Sequence, residues 1–404
     1  MDRTERAYSA HLSERHDNGL LRTLHPVQTP AARELVVDGR RYINFASNNY
    51  LALTHHPALI AQSRDWAERY GAGSGASRLV TGNLDLFDAI EAKVAALKGT
   101  AAALIMASGF QANASVLQAL LDKKILGAEP LVFADRLNHA SMHFGCAAAG
   151  VRQIRYRHCD MDHLKSLLDT NGNKDQPRFI LTESVFSMDG DVAPIGGIAA
   201  LAAAYDCTLI CDDAHATGIL GEQGCGLSSG ADIVIGTFSK ALGSFGAYVA
   251  CSGIVKNYLI NCCGGLIYST ALPPPVLGAI DAALDLLPNL DAEREITAQH
   301  AQMFRTEIQS LGFETWSSTT QIVPVILGTA HAAESLSAEL RENGFWSTPI
   351  RPPTVPADTA RLRITFTAAH TDTDVQRLIA VLKGWRKTSD APREQSTRQI
   401  TAQP

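Results

Sequence analysis

Short, mostly apolar runs punctuate the first two thirds of the chain: Ala101–Met106, Leu131–Ala134, Arg178–Thr182, Thr208–Cys211, Asp232–Gly236 and Gly246–Cys251. Their apolar residues are contiguous rather than alternating, which predicts strands buried on both faces. Helix-length segments such as Leu84–Leu97 and Ile198–Tyr205 fill the intervals. This alternation predicts an α/β fold whose mainly parallel sheet is covered on both sides.

The pattern divides the chain. Residues 1–47 read as an N-terminal helical arm followed by a hairpin turning at Asp38-Gly39. Residues 48–290 form the large α/β domain. Residues 291–386 read as a smaller C-terminal α+β domain with helices over Arg294–Leu311 and Ala332–Asn343, strand-like "TQIVPVILG" and "RLRITFTAAHT", and a last helix. Residues 387–404 are polar and aperiodic, the composition of a disordered tail.

Composition narrows the function. With 404 residues, 46% hydrophobic, the chain can bury a large core. A net charge of −6, with no basic cluster interleaved with aromatics, argues against nucleic acid. No apolar run reaches the roughly 18 residues that span a bilayer. The charged start "MDRTERAYSAHLSERHDNG" is no secretory signal. The cysteines at 146, 159, 207, 211, 225, 251, 262 and 263 form no C-x-x-C and read as free thiols of a cytoplasmic protein.

In open α/β sheets, ligands bind beyond the carboxyl ends of the strands. Four clusters fall there. "MASGFQAN" supplies Ser108, Gly109 and Phe110 at a strand-to-helix turn, where backbone amides meet anions. It also reads as an ordinary helix cap. "ADRLNHASM" offers His139, and "LTESVFSMDGD" offers Glu183 and Ser187. "LICDDAHATG" offers Asp212, Asp213 and His215. A metal site there lacks a third ligand at metal spacing, so no metal is expected. "GAGSGAS" lacks G-x-G-x-x-G spacing and follows a helical segment, which disfavours a nicotinamide oxidoreductase.

Lys240 completes the set. It follows the Asp232–Gly236 run with Thr237, Ser239 and small residues around it. A lysine there loses water, its pKa falls, and Schiff-base chemistry becomes available; alone, it also reads as a surface lysine snorkelling to solvent. Anion site, carboxylate, imidazole and desolvated lysine together suit pyridoxal 5'-phosphate. Lysine would bond the aldehyde, a carboxylate would keep the ring nitrogen protonated, imidazole would stack on the ring, and the turn with Thr237 would hold the phosphate.

The motifs "NFASNNYLALTHHP", "GAGSGASRLVTGN", "FADRLNHASM", "ESVFSMDGDVAPI", "DDAHATGILGEQGCG", "TFSKALGSFGAYV", "IYSTALPPP" and "IRPPTVPADTARLRIT" resemble the α-oxoamine synthase family of pyridoxal-phosphate enzymes. The likeness runs from about Leu20 to about Leu382. It implies a fold type I transferase with a seven-stranded, mainly parallel sheet. Lys240 resembles the lysine that bonds the cofactor, and Asp212 the partner of the ring nitrogen; residue chemistry alone leaves Asp213 open. His215 and Ser187 resemble further cofactor contacts, and His139 the ring-stacking histidine. Ser108, Gly109, Phe110 and Thr237 resemble the phosphate site. Ser269 and Thr270 resemble phosphate contacts given by the other subunit of a homodimer with shared active sites.

Arg22, Asn48, His139, Thr354 and Arg363 resemble substrate-binding positions, with Arg363 on the amino-acid carboxylate. The catalytic set is therefore Lys240, His139, Asp212 and His215. The last motif points to the branch that joins L-alanine to a pimeloyl thioester, carried on coenzyme A or acyl carrier protein. Glycine or serine donors, another acyl thioester, or a non-catalytic scaffold are the alternatives. Ala52 and Ala76 stand where glycines are common and Asn49 where Asp is, while Phe245 could narrow an acyl channel.

Overall fold

The computed structural model describes residues 2–17, 20–172 and 176–389. Its central seven-stranded sheet runs in the order Ala102–Met106, Ala247–Cys251, Ile233–Thr237, Cys207–Asp212, Arg178–Glu183, Leu131–Asp135, Gln153–Tyr156. The strands are parallel except Ala247–Cys251, which is antiparallel to both its neighbours. The connection from Thr237 to Ala247 is too short for a helical crossover, so that strand must return alongside its predecessor. The Gln153–Tyr156 edge strand was not among the apolar runs, because "QIRY" alternates and is largely half-buried.

Successive strand residues enter opposite cores, as the pleat requires. Ala103, Ile105, Val234 and Ala250 pack with Trp66, Ile90 and Leu277 of the helices Pro57–Tyr70, Leu86–Lys98 and Pro274–Leu286. Leu104, Ile235 and Val249 pack with Val116 and Leu117 of the helix Gly109–Leu120. With both faces covered, the polar residues after each parallel strand gather along one rim.

The C-terminal part contains a three-stranded sheet ordered Ile322–Gly328, Ala360–Thr365, Pro349–Ile350. The helices Asp291–Ser310, Ala330–Glu342 and Asp372–Ser389 bury Phe304, Leu336 and Leu378 in its core. The last helix runs to Ser389, three residues into the stretch expected to be disordered; residues 390–404 lie outside the described residues. The hairpin Glu34–Val37/Arg40–Asn44 turns at Asp38 (φ 50°) and Gly39 (φ 77°), the two positive angles a tight twisted hairpin needs. Phe345–Trp346 adds to it in parallel.

Gly190, on the connection that follows the strand Arg178–Glu183, marks where this part meets the large domain. Its φ is +70°, and an added Cβ would lie 2.0 Å from the Ile322 carbonyl oxygen, so no larger residue fits. Thr320 Oγ1 donates to the Gly190 carbonyl at 2.8 Å. Arg361, fully buried, pairs with Asp189 and stacks 4.3 Å from the Trp316 ring.

Candidate active site

The strand ends converge on a cavity of about 250 Å³. Ser108, Gly109, Phe110, His139, Asp212, His215, Thr237 and Lys240 all line it, joined by Asn113, Ser141, Glu183 and Ser239. Each arrives by a short rim connection. Ser108 caps the helix Gly109–Leu120, its Oγ accepting from the Gln111 amide at 3.2 Å. The Gly109 and Phe110 amides are thereby left at the helix N-terminus, where the dipole favours an anion. Thr237 Oγ1 donates to the Gly246 carbonyl at 2.8 Å and accepts from the Ser239 amide at 3.1 Å, which fixes the turn into Lys240.

The adjacent aspartates part company. Asp212 faces the cavity, accepting from Asn113 Nδ2 at 2.6 Å and from the Ala214 amide at 3.0 Å. Asp213 is completely buried on the other side, paired with the equally buried Lys98 at 2.6 Å and contacted by Ser184, Thr217 and the Leu227 amide. Adjacent residues at a strand end point to opposite faces, and only one can reach the cavity. Glu183 pairs in register with Asp212. Burial, then the Asp212 charge, push its carboxyl well above the usual range.

Lys240 Nζ lies 2.8 Å from His215 Nε2. Burial lowers the lysine to about 8; Asp212 and Glu183 oppose this and Arg363 adds to it. His215 is pushed well below its usual range by burial, then by Lys240 and Arg363, and is a neutral imidazole. His139 is also lowered, mainly by desolvation. Its Nδ1 sits 2.7 Å from Ser141 Oγ and accepts from the Ser141 amide at 3.3 Å, which places the ring proton on Nε2.

Residues outside the cavity lining join it through Tyr50, which sequence reasoning passed over. Tyr50 is fully buried, its hydroxyl 2.8 Å from His215 Nδ1. Arg363 donates to that hydroxyl at 3.2 Å and to Asn48 Oδ1 at 3.1 Å, and its Nε donates to the Ser187 carbonyl. A continuous hydrogen-bonded chain thus connects Arg363 to Lys240. Ser187 meets Arg363 through its backbone and does not line the cavity. Arg22 and Thr354, both exposed, bond to each other at 2.9 Å across 332 residues of sequence. Ser269 and Thr270 lie outside the cavity lining: Ser269 Oγ accepts from Gln111 at 2.6 Å, and Thr270 bridges to Ser77. Phe245 is half-exposed and does not line it either. An apolar-run search cannot find Tyr50, Asn113 or Ser141; Tyr50 was visible only as the aromatic of "NNYLAL".

Residues 40–382 match the family described as aminotransferase class I and II. A putative 8-amino-7-oxononanoate synthase of Paramagnetospirillum magneticum is 54% identical over 366 residues, 90% of this chain and 93% of that one. The 8-amino-7-oxononanoate synthase of Gluconacetobacter diazotrophicus is 53% identical over 388 residues, 95% of each chain. A solved serine palmitoyltransferase from S. paucimobilis, with a bound PLP–myriocin aldimine, aligns with TM-score 0.88 at 25% identity, covering 96% of this chain and 99% of that one. The chain belongs to the aminotransferase class I and II family and has the pyridoxal-phosphate fold type I. Within that class it is a member of the α-oxoamine synthases, an enzyme family.

The residues present fit the cofactor of this class. The helix N-terminus, Ser108 and Thr237 suit a phosphate; a Cβ on Gly109 would meet Thr237 at 3.8 Å, so the missing side chain keeps that cradle open. Asp212 supplies a doubly hydrogen-bonded carboxylate, and Lys240 an amine of lowered pKa.

Proposed function

We propose that the protein catalyses the decarboxylative condensation of L-alanine with a pimeloyl thioester, on coenzyme A or acyl carrier protein. The products are 8-amino-7-oxononanoate, carbon dioxide and the free thiol carrier, in biotin biosynthesis. The observation that carries this reading is the single hydrogen-bonded chain from Arg363 through Tyr50 and His215 to Lys240, which links a carboxylate-binding guanidinium to an amine poised near neutral pH. The names of relatives sharing more than half its residues support the choice of substrates.

When bound, pyridoxal phosphate supplies a protonated ring that stabilises negative charge on the α-carbon of the amino acid. The rest is the work of the chain. Lys240 would bond the cofactor's aldehyde carbon, Asp212 would pair with its ring nitrogen, and the Ser108–Phe110 turn with Thr237 would hold its phosphate. Arg363 grips the amino-acid carboxylate, because a guanidinium forms two parallel bonds to it. Lys240 would take the α-proton of the amino acid; its lowered pKa suits a base near neutral pH. His139 would cover the ring face, with its Nε2–H left free to donate to the acyl substrate. Arg22 and Thr354 bind the far part of the acyl substrate. Ser269 and Thr270 complete the phosphate site of a second copy, so the active form is a homodimer. The free cysteines fit a reducing, cytoplasmic setting, and among the described residues no helix is long and apolar enough to cross a membrane.

A second reading has its own support: the serine palmitoyltransferase likeness allows serine as donor. Mass spectrometry of products from alanine, glycine and serine, each with pimeloyl, succinyl and palmitoyl thioesters, separates them. Alanine with pimeloyl thioester should give the dominant product; preference for another pair overturns the substrate assignment.

A further inference from the structure

Asn113 sits one turn into the helix Gly109–Leu120, is 2% exposed and lines the cavity. Its Nδ2 donates twice, to Asp212 Oδ2 at 2.6 Å and to Ser141 Oγ at 3.0 Å. Ser141 Oγ, having accepted from Asn113, has its own proton free for His139 Nδ1 at 2.7 Å. The Asp212 carboxylate can only accept, so the nitrogen of the amide must face it. Asn113 Oδ1 is buried without a hydrogen-bond partner, so the two donor contacts alone orient this amide.

We propose that Asn113 is a positioning residue that sets the Asp212 carboxylate and the His139 ring in one fixed relation, through a single amide nitrogen. The inference rests on the pyridoxal-phosphate reading, in which Asp212 serves the ring nitrogen and His139 the ring face. Two groups that act on one flat ring from its edge and its face need a common reference. The helix that begins at the phosphate turn supplies it: Gly109 and Asn113 are one helical turn apart. Phosphate, ring nitrogen and ring face are therefore registered to the same rigid element.

The decisive variant is Asn113→Asp, which keeps the size and replaces the donor by a carboxyl 2.6 Å from Asp212. Two carboxylates so close cannot both ionise and will share a proton. The other titratable groups lining the cavity beside them are Glu183, pushed up by burial, and His139, His215 and Lys240. With the shared proton present, the new carboxyl donates to Asp212 as the amide did; once that proton leaves, it repels Asp212. The purified cofactor-loaded variant should show a pH transition in the visible absorbance of the bound cofactor that the parent lacks. Its kcat should be highest on the acid side, still below the parent because the single proton leaves Ser141 without its donor, and fall at least about a further tenfold on the alkaline side.

Ser141→Ala breaks only the His139 branch. It should lower kcat/KM for the acyl thioester and leave the visible pH profile unchanged. Melting temperature is read on every variant. An Asn113→Asp protein that titrates like the parent, or loses activity equally at all pH values with a lowered melting temperature, overturns the inference. Should Asn113→Asp not fold, Asn113→Ala decides: a ten- to hundred-fold loss in kcat with altered absorbance supports the role, and parental kcat and absorbance overturn it. A parent protein with no visible cofactor band would overturn the pyridoxal-phosphate reading itself.

Discussion

The two ends of the site are built differently. The lysine end is assembled from strand termini in a fixed order along one sheet, and each residue is delivered by the connection after its own strand. The arginine end has no such frame. Asn48 and Tyr50 precede the sheet, Ser187 lies on a long connection, and Arg363 comes from the C-terminal three-stranded sheet. The first end is rigid because its backbone belongs to the core. The second depends on side-chain bonds between distant segments, anchored by Gly190 against Ile322 and by Arg361 on Asp189. The lysine end thus rests on backbone, and the arginine end on side chains that single substitutions can alter.

Substitutions at each end should separate these roles. Lys240→Ala should cost the most, at least about 10⁴-fold in turnover, because base and cofactor tether are lost together. Visible absorbance and product formation check it; parental absorbance would remove Lys240 from the cofactor. Arg363→Ala should leave the cofactor spectrum unchanged and lower kcat/KM for the amino acid about a hundredfold, through the loss of two charge-assisted bonds. A spectral change of the size given by Lys240→Ala would erase the distinction between the two ends. Tyr50→Phe keeps the packing and removes the junction hydroxyl. Arg363 and His215 lose a shared partner, and kcat/KM should fall about tenfold.

The pH dependence of loading tests the lysine end by itself. Since Lys240 is lowered to about 8, the rate at which apoprotein binds pyridoxal phosphate covalently should rise with pH and level off above that value. Below it, each pH unit should cost about tenfold, because only the unprotonated amine attacks. Stopped-flow absorbance measures this; a midpoint near the ordinary lysine value would refute the desolvated setting. The smallest effect belongs to the loop of the arginine end. Ala52 adopts φ 60°, a left-handed conformation that glycine takes without strain. Ala52→Gly should therefore stabilise by up to about 1 kcal/mol, read from denaturant midpoints.

How much of this was legible follows the same division. Contiguous apolar runs announced six of the seven central strands, and the polar residues after them named the lysine end. The choice of Asp212 over Asp213 was not readable from residue type: it depends on which side chain the last strand position turns outward, and on Lys98 waiting behind. Asn113 and Tyr50 stayed hidden because an amide within a helix and a tyrosine within an apolar stretch look like packing. Arg22 and Thr354 entered only by resemblance, and their contact joins residues no local pattern connects.

One consequence follows from the wiring between Arg363 and Lys240. The arginine is among the charges that keep the lysine amine from holding its proton. An anion that neutralises Arg363 therefore strengthens the grip of the amine on a proton, and by thermodynamic reciprocity a protonated amine strengthens the grip on the anion. Near pH 8, a carboxylate ligand that pairs with Arg363 in the apoprotein is expected to be accompanied by proton uptake at the amine. Charge arriving at the arginine end should then register as proton uptake at the lysine end, which an indicator dye in weak buffer would read.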